Sequence, residues 1–333
     1  MKLPRLATRK LTRREIFEVV IPLEIIILFT AASFFLPGGE DLYGWYRPFA
    51  EGCLTCGMNP WHAYWLLRPI AWVPLRLLWP LWTLLTGLVL FSVSRRLGTN
   101  PTAVLLAFPA MGLIWLGQVD GLIVLGLGLA LLAPNAYLRG AGLALVSVKP
   151  HVAGLAGLVL LWHEKERLKM LALLAAVLAI SFAAWGLDWP VEWLRERRAI
   201  DMPVWGLATL FPYGLAALPA ILVVKGKREQ VTVALLVSAL AIPWFGVYSY
   251  AAFLPLVAPW WGVPLSYAWA AAYPWLGNRA MQFAWVLPLG LLVYRVGPVV
   301  LERWPGLKAL AHQTTRQARE QPPNPPPGAS GTL

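Results

Sequence analysis

Charge is what this chain has least of. Asp, Glu, Lys and Arg make up 13 % of its 333 residues, about half of what a soluble globular domain carries. That shortage excludes an ordinary water-soluble fold. Acids are scarcer than bases, 16 against 28, for a formal net charge of +12. No basic stripe interleaves with aromatics on a soluble stretch, so the excess does not point to nucleic acid as a partner. It points to short basic runs between apolar blocks, the pattern of cytoplasmic loops. With two cysteines and four histidines, neither a disulfide-stapled scaffold nor a zinc cluster can organise the fold. There is no Gly-rich phosphate loop and therefore no sign of a nucleotide site. Short alternating segments of the β-barrel kind are missing, as is any repeat of solenoid period. No small-residue cleavage site follows the first apolar segment, so no cleavable signal peptide is evident.

What is present is hydrocarbon. The chain is 59 % hydrophobic with a mean hydropathy of +0.62, and the apolar residues fall in blocks of roughly 15 to 25, the length that crosses a bilayer. The expected fold class is all-α: a polytopic membrane helical bundle of about 8 to 11 membrane helices, some short or re-entrant. Several of the 19 tryptophans sit at block ends, where indole favours the headgroup layer.

Residues 1–16 read as a basic cytoplasmic leader, 17–304 as one membrane-embedded domain, and 305–333 as a disordered Pro-rich tail. The expected location is the cell membrane, multi-pass, with the N-terminus cytoplasmic. The first span covers 17–36 and contains Glu24, a costly position for a charge, expected to face other helices. Residues 37–68 form the first outer loop, rich enough in Trp and Tyr to lie along the membrane surface. Spans at 70–93, 168–187, 207–224, 231–248 and 279–297 follow, with 250–277 ambiguous. Blocks 101–116 and 119–133 meet at a polar Gln118/Asp120 turn. The Pro150 break divides 140–162 into two short helices with Lys149 at the tip. Neither short helix spans alone, so that tip must line an enclosed cavity. The Gly126–Gly128 step reads as helix packing.

Charge flanks then gather four polar groups on the outer side: Glu40/Asp41, Gln118/Asp120, Lys149/His151, and Arg195, Arg197 and Arg198. Cations can hold a phosphate, Arg often with two bonds. A carboxylate can take a proton from an attacking hydroxyl. Sugar transfer from a polyprenyl phosphate needs both and needs no nucleotide. Cys53 and Cys56 sit in the first loop, where a local disulfide is the expected state. His62 would add only one further ligand, too few for zinc.

The residues also carry a resemblance. Asp41-Leu42-x-x-x-Tyr46, then Gly52 and Asn59-Pro60-Trp61, resemble the first loop of glycosyltransferase family 87 in the GT-C superfamily of membrane glycosyltransferases. That family includes the polyprenyl-phosphate-mannose-dependent mannosyltransferases. Gly117-Gln118-Val119-Asp120 resembles its Gly-Gln-x-Asn step, with Asp where the family often has Asn. Arg139-Gly140-Ala141-Gly142-Leu143 running to Val148-Lys149-Pro150 resembles its Ala-Gly to Lys-Pro segment. Together these cover about residues 37–162 in order. The resemblance implies a GT-C-like fold and an inverting hexosyltransferase without metal or other cofactor. The expected donor is a polyprenyl-phosphate sugar, with mannose foremost, and the acceptor a lipid or glycan. It implies Asp41 as general base, with adjacent Glu40 the alternative. Tyr46, Arg47, Gln118, Asp120, Lys149, His151, Arg195 and Arg198 are the expected substrate-binding residues. Two other readings use the same features. One is a transporter or flippase of lipid-linked anions; the other is a catalytically inactive paralogue that binds lipid or a partner.

Overall fold

The computed structural model describes residues 12–198, 208–243 and 245–303. Most of the leader, the 305–333 tail, and the side chains of Arg197 and Arg198 lie outside the described residues. Among the described residues every regular element is helical. Apolar blocks with no water to satisfy their backbone can do little else, because a helix makes all its hydrogen bonds within one segment.

Three helices are long and apolar enough to cross a membrane: Leu75–Arg96, Arg167–Trp185 and the run Ala268–Arg303. The bent pair Phe108–Leu116 and Asp120–Leu132, at 119°, makes a fourth if taken as one span. Ala136–Val146, Pro150–His163 and Tyr213–Val223 are shorter apolar helices. The first expected span appears as a helical run over Arg13–Ala32 with a π-turn at Ile16–Val20. Glu24 corrects an expectation: its residue is exposed on the outer surface of the bundle and does not face other helices.

One further expectation changes and one open stretch resolves. The span expected over 207–224 is not a spanning helix across the described residues 208–224, which hold a 3-10 turn at Tyr213–Ala217 and one α-turn at Ala220–Val223. Pro212 and Pro219 interrupt the backbone ladder there. Gly214 lies so close to the next helix that a Cβ would sit 2.1 Å from the Leu240 carbonyl oxygen. The ambiguous 250–277 stretch resolves into short 3-10 and α turns.

The core sits around Lys227–Ala241, in which every residue from Val231 to Ala241 is buried. At 1.5 Å per residue its 15 residues reach only about 22 Å. It is a central strut rather than a lipid-facing span. Pro150–His163 packs along it. Ala136–Val146 instead packs between Asp120–Leu132 and Arg167–Trp185. Small residues allow that approach: a Cβ on Gly142 would meet the Gly126 oxygen at 2.4 Å, and one on Gly140 the Met170 oxygen at 2.3 Å. The Gly126 contact bears out the packing role expected of the Gly126–Gly128 step.

At one end the loop after Ala136–Val146 carries Ser147, Val148 and Lys149 towards the first loop. At the other, Arg139 clamps Glu164 through two bonds of 2.6 and 3.0 Å. That partner holds the Glu164 carboxyl far below the usual range, at about 2.

Candidate functional site

The site begins at Gly39. Its φ of +71° lies in the left-handed region that favours glycine. A Cβ there would press on the Trp79 indole at 2.8 Å. The Gly39 N–H donates to the Trp115 carbonyl at 2.8 Å, which ties the first loop to the bent helix pair. Residues Leu42–Tyr46 then form a π-turn. Hydrogen bonding from i to i+5 brings residues five apart onto one face, and single π-turns mark functional sites often. Here the turn puts Asp41 and Tyr46 on the same side, and both reach Gln118.

Gln118 stands where Phe108–Leu116 ends. Gly117, at φ +69°, lets the chain reverse, and a Cβ on it would strike Leu42 Cβ at 2.7 Å. Two indoles of Leu75–Arg96 pin the bend. Trp79 Nε1 donates to the Ile114 carbonyl and Trp82 Nε1 to the Gln118 carbonyl, each at 3.0 Å.

The side chain of Gln118 is the hub. Its Oε1 accepts from the Tyr46 hydroxyl at 2.5 Å and from Lys149 Nζ at 2.7 Å. Its Nε2 donates to Asp41 Oδ2. Lysine has only donors, which fixes which way the amide points. Lys149 Nζ also donates to Asp120 Oδ2 at 2.6 Å. Two of its three hydrogens are thus placed. The Tyr248 and Tyr46 rings lie 5.0 and 5.8 Å from the same nitrogen, within cation–π range. Asp120 is fully buried and its Oδ1 has no hydrogen-bond partner among the described residues.

The first loop also grips the Lys149 turn directly. Asn59 Nδ2 donates to the Val148 carbonyl at 2.8 Å. His62 Nε2 lies 3.0 Å from Ser147 Oγ and 3.2 Å from the Ser147 carbonyl. The Ser147 hydroxyl itself donates to Ala144, so both Ser147 oxygens accept and Nε2 carries the proton. Burial pushes the His62 imidazole down to about 4, the Ser147 bond opposing this only in part.

Asp41, Gln118, Asp120, Lys149 and Tyr46 therefore come together from three distant stretches. Burial raises the Asp41 pKa above its ordinary value; Lys149 and the Gln118 hydrogen bond pull the other way, while Glu40 and Asp120 add to the rise. A half-buried carboxylate held by one amide, with its proton affinity raised, is suited to accept a proton. Glu40 is exposed. Arg47 turns elsewhere: it bonds Glu51 at 2.5 Å and the carbonyls of Ile70 and Val73, tying the loop together. His151 is half-buried in the first turn after Pro150, and Arg195 is exposed on Trp189–Arg198. The hub network holds one lysine and two carboxyl groups, three of the four polar groups that charge flanks gather on one side.

An apolar cavity of about 450 Å³ borders this network. Phe108, Met111, Gly112, Trp115, Leu116 and Tyr248 supply much of its wall. Leu116 is two residues from Gln118, and Tyr248 faces Lys149. Tyr248 was not legible as a site residue in the sequence. It lies in an aromatic stretch that reads as the end of a span, and nothing local signals a contact 99 residues away.

Cys53 and Cys56 form the expected local disulfide, with Cα atoms 5.3 Å apart. Among the described residues no three His, Cys, Asp or Glu side chains group in a way that could hold a metal ion. No family model, curated protein or solved structure matches the chain.

Proposed function

We propose that the chain is an integral membrane glycosyltransferase. In this reading it moves a hexose, mannose foremost, from a polyprenyl-phosphate donor to a lipid or glycan acceptor. The observation that carries it is the pairing of the Asp41–Gln118 carboxylate with an apolar cavity on the same bend. A lipid-linked sugar needs both: a greasy slot for the chain and a base at its head.

In the proposed reaction the acceptor hydroxyl attacks the anomeric carbon as Asp41 takes its proton. The bond from that carbon to the phosphate oxygen breaks, and polyprenyl phosphate leaves with the electron pair. The configuration inverts. Gln118 holds Asp41 in aim, and Tyr46 and Lys149 hold Gln118. The third hydrogen of Lys149 is the one left for the donor phosphate, and Arg195, Arg198 and His151 are the further donor-binding groups of this reading. Asp120 holds Lys149 Nζ in place through their 2.6 Å contact.

The same reading makes the domain a GT-C-like bundle of about 8 to 11 membrane helices, counting short and re-entrant ones. It puts the N-terminus in the cytoplasm and the site at the outer face of the cell membrane. The test is purified chain in liposomes with labelled polyprenyl-phosphate mannose and extracted membrane acceptors. Labelled product together with free polyprenyl phosphate supports the proposal. Intact donor moved between leaflets would mean a flippase. Bound donor with neither outcome would mean a non-catalytic lipid binder.

A further inference from the structure

A second pocket, of about 300 Å³, lies well away from the Asp41 network. It is lined by Arg13, Arg14, Phe17, Glu18, Asn100 and Trp260, so three separate stretches of chain build it. The Thr12–Glu15 capping box, with its 2.8 and 3.1 Å bonds, fixes the turn that presents the two arginines. Glu18 takes Arg14 Nε at 2.8 Å. Arg13 makes no ion pair among the described residues. Asn100 spends its Oδ1 on the Thr102 and Ala103 N–H groups, which leaves its Nδ2 to donate. The Trp260 indole stands edge-on to Phe17 at 6.0 Å.

Charge and depth together say what this pocket takes. Two guanidiniums against one carboxylate leave a net positive lining. Basic residues in the first turn of a helix oppose its dipole, and a bound anion would relieve that opposition. The 22 residues of Leu75–Arg96 measure about 33 Å, close to the hydrocarbon thickness of a bilayer. Trp79 and Trp82 pin the Asp41 network near one end of that helix, and Asn100 lies just past the other. From Trp82 to Arg96 alone is roughly 21 Å along the axis. If this helix spans, the pocket lies at headgroup depth in the opposite leaflet. A tryptophan on its rim suits that depth.

We propose that Arg13, Arg14, Asn100 and Trp260 form a binding site for the phosphodiester of an anionic phospholipid. Arg13 supplies the paired N–H groups that suit a phosphate, Asn100 Nδ2 a further donor, and Trp260 a wall for the glycerol. A volume equal to about ten waters admits both parts.

The test is native mass spectrometry of the full chain released from micelles containing phosphatidylglycerol, phosphatidylcholine, or inorganic phosphate alone. Phosphatidylglycerol should be retained at least tenfold more than phosphatidylcholine. The Arg13→Gln/Arg14→Gln double variant should lose that preference, and Trp260→Ala should weaken it. A charge-matched Lys165→Gln/Lys225→Gln variant should keep it, since both lysines are exposed elsewhere. Helical content by circular dichroism checks that all variants fold. Equal loss in the lysine variant would overturn the site in favour of diffuse charge. Equal retention of phosphatidylcholine would overturn it as well. Displacement of the lipid by millimolar phosphate would assign the pocket to a free anion and refute the lipid.

Discussion

Removing the Lys149 ammonium tests the hub hardest. Lys149 and Asp120 are 7 % and 0 % exposed and 2.6 Å apart. At an effective dielectric of about 20, that separation gives roughly 6 kcal/mol of attraction. Desolvating two ions costs several kcal/mol each, so the pair as a whole contributes little net stability. One partner alone is a different matter. Lys149→Met leaves Asp120 buried and charged, with Oδ1 already without a partner, and should cost about 3–5 kcal/mol. Lys149→Met/Asp120→Leu removes both charges and should recover most of that loss. The assay is reversible unfolding in mixed micelles titrated with SDS, comparing both single variants with the double. If the single variant unfolds like the parent, or the double is no better than the sum of the singles, the buried-pair argument fails.

Other predictions follow the same geometry. Gly117→Ala needs a strained backbone and strikes Leu42; it should cost about 1–3 kcal/mol and part Asp41 from Gln118, read as lost stability in the same titration. Acid should destabilise the fold through His62. Its folded pKa of about 4 lies below the ordinary 6.5, so its contribution is complete above about pH 6.5 and lost as pH falls towards 4, on the order of 3 kcal/mol; thermal unfolding between pH 4 and 8 should show this, and His62→Gln should flatten it. Glu164, held at about 2, adds a second acid loss below pH 4.5. Gly112→Leu adds bulk to the 450 Å³ cavity where even a Cβ would touch only Tyr248, at 3.8 Å; it should fold normally, raise KM for a polyprenyl donor and spare kcat.

Much of the site was legible because charge is so rare here. In a chain that is mostly hydrocarbon, Asp41, Gln118, Asp120 and Lys149 stand out, and charge flanks suffice to put them on one side. Their pairing was not legible. Lys149 looked like a free phosphate ligand, and only the fold shows its ammonium between Gln118, Asp120 and two tyrosine rings. Arg47 and Glu24 also needed the fold: Arg47 ties three loop groups together, and Glu24, expected to face other helices because a charge inside a span is costly, is exposed. Span reading succeeded where apolar runs are unbroken, as at Leu75–Arg96 and Arg167–Trp185. It failed at 207–224, where prolines and the close approach of Gly214 shorten the helix although hydropathy stays high. The Gly126 and Gly142 contact needed only the observation that small residues let helices meet.

The central claim is that Asp41 takes the acceptor proton. The direct measurement is hexose transfer from polyprenyl-phosphate mannose by Asp41→Asn beside the parent, in liposomes, across pH. Asparagine keeps the shape and a hydrogen bond to Gln118 but accepts no proton. The fold should be unchanged and the rate lower by about 10²–10⁴-fold, with parent activity falling on acidification through a pKa above the ordinary carboxylate value. Full turnover by Asp41→Asn, with the parent's pH profile, would contradict it.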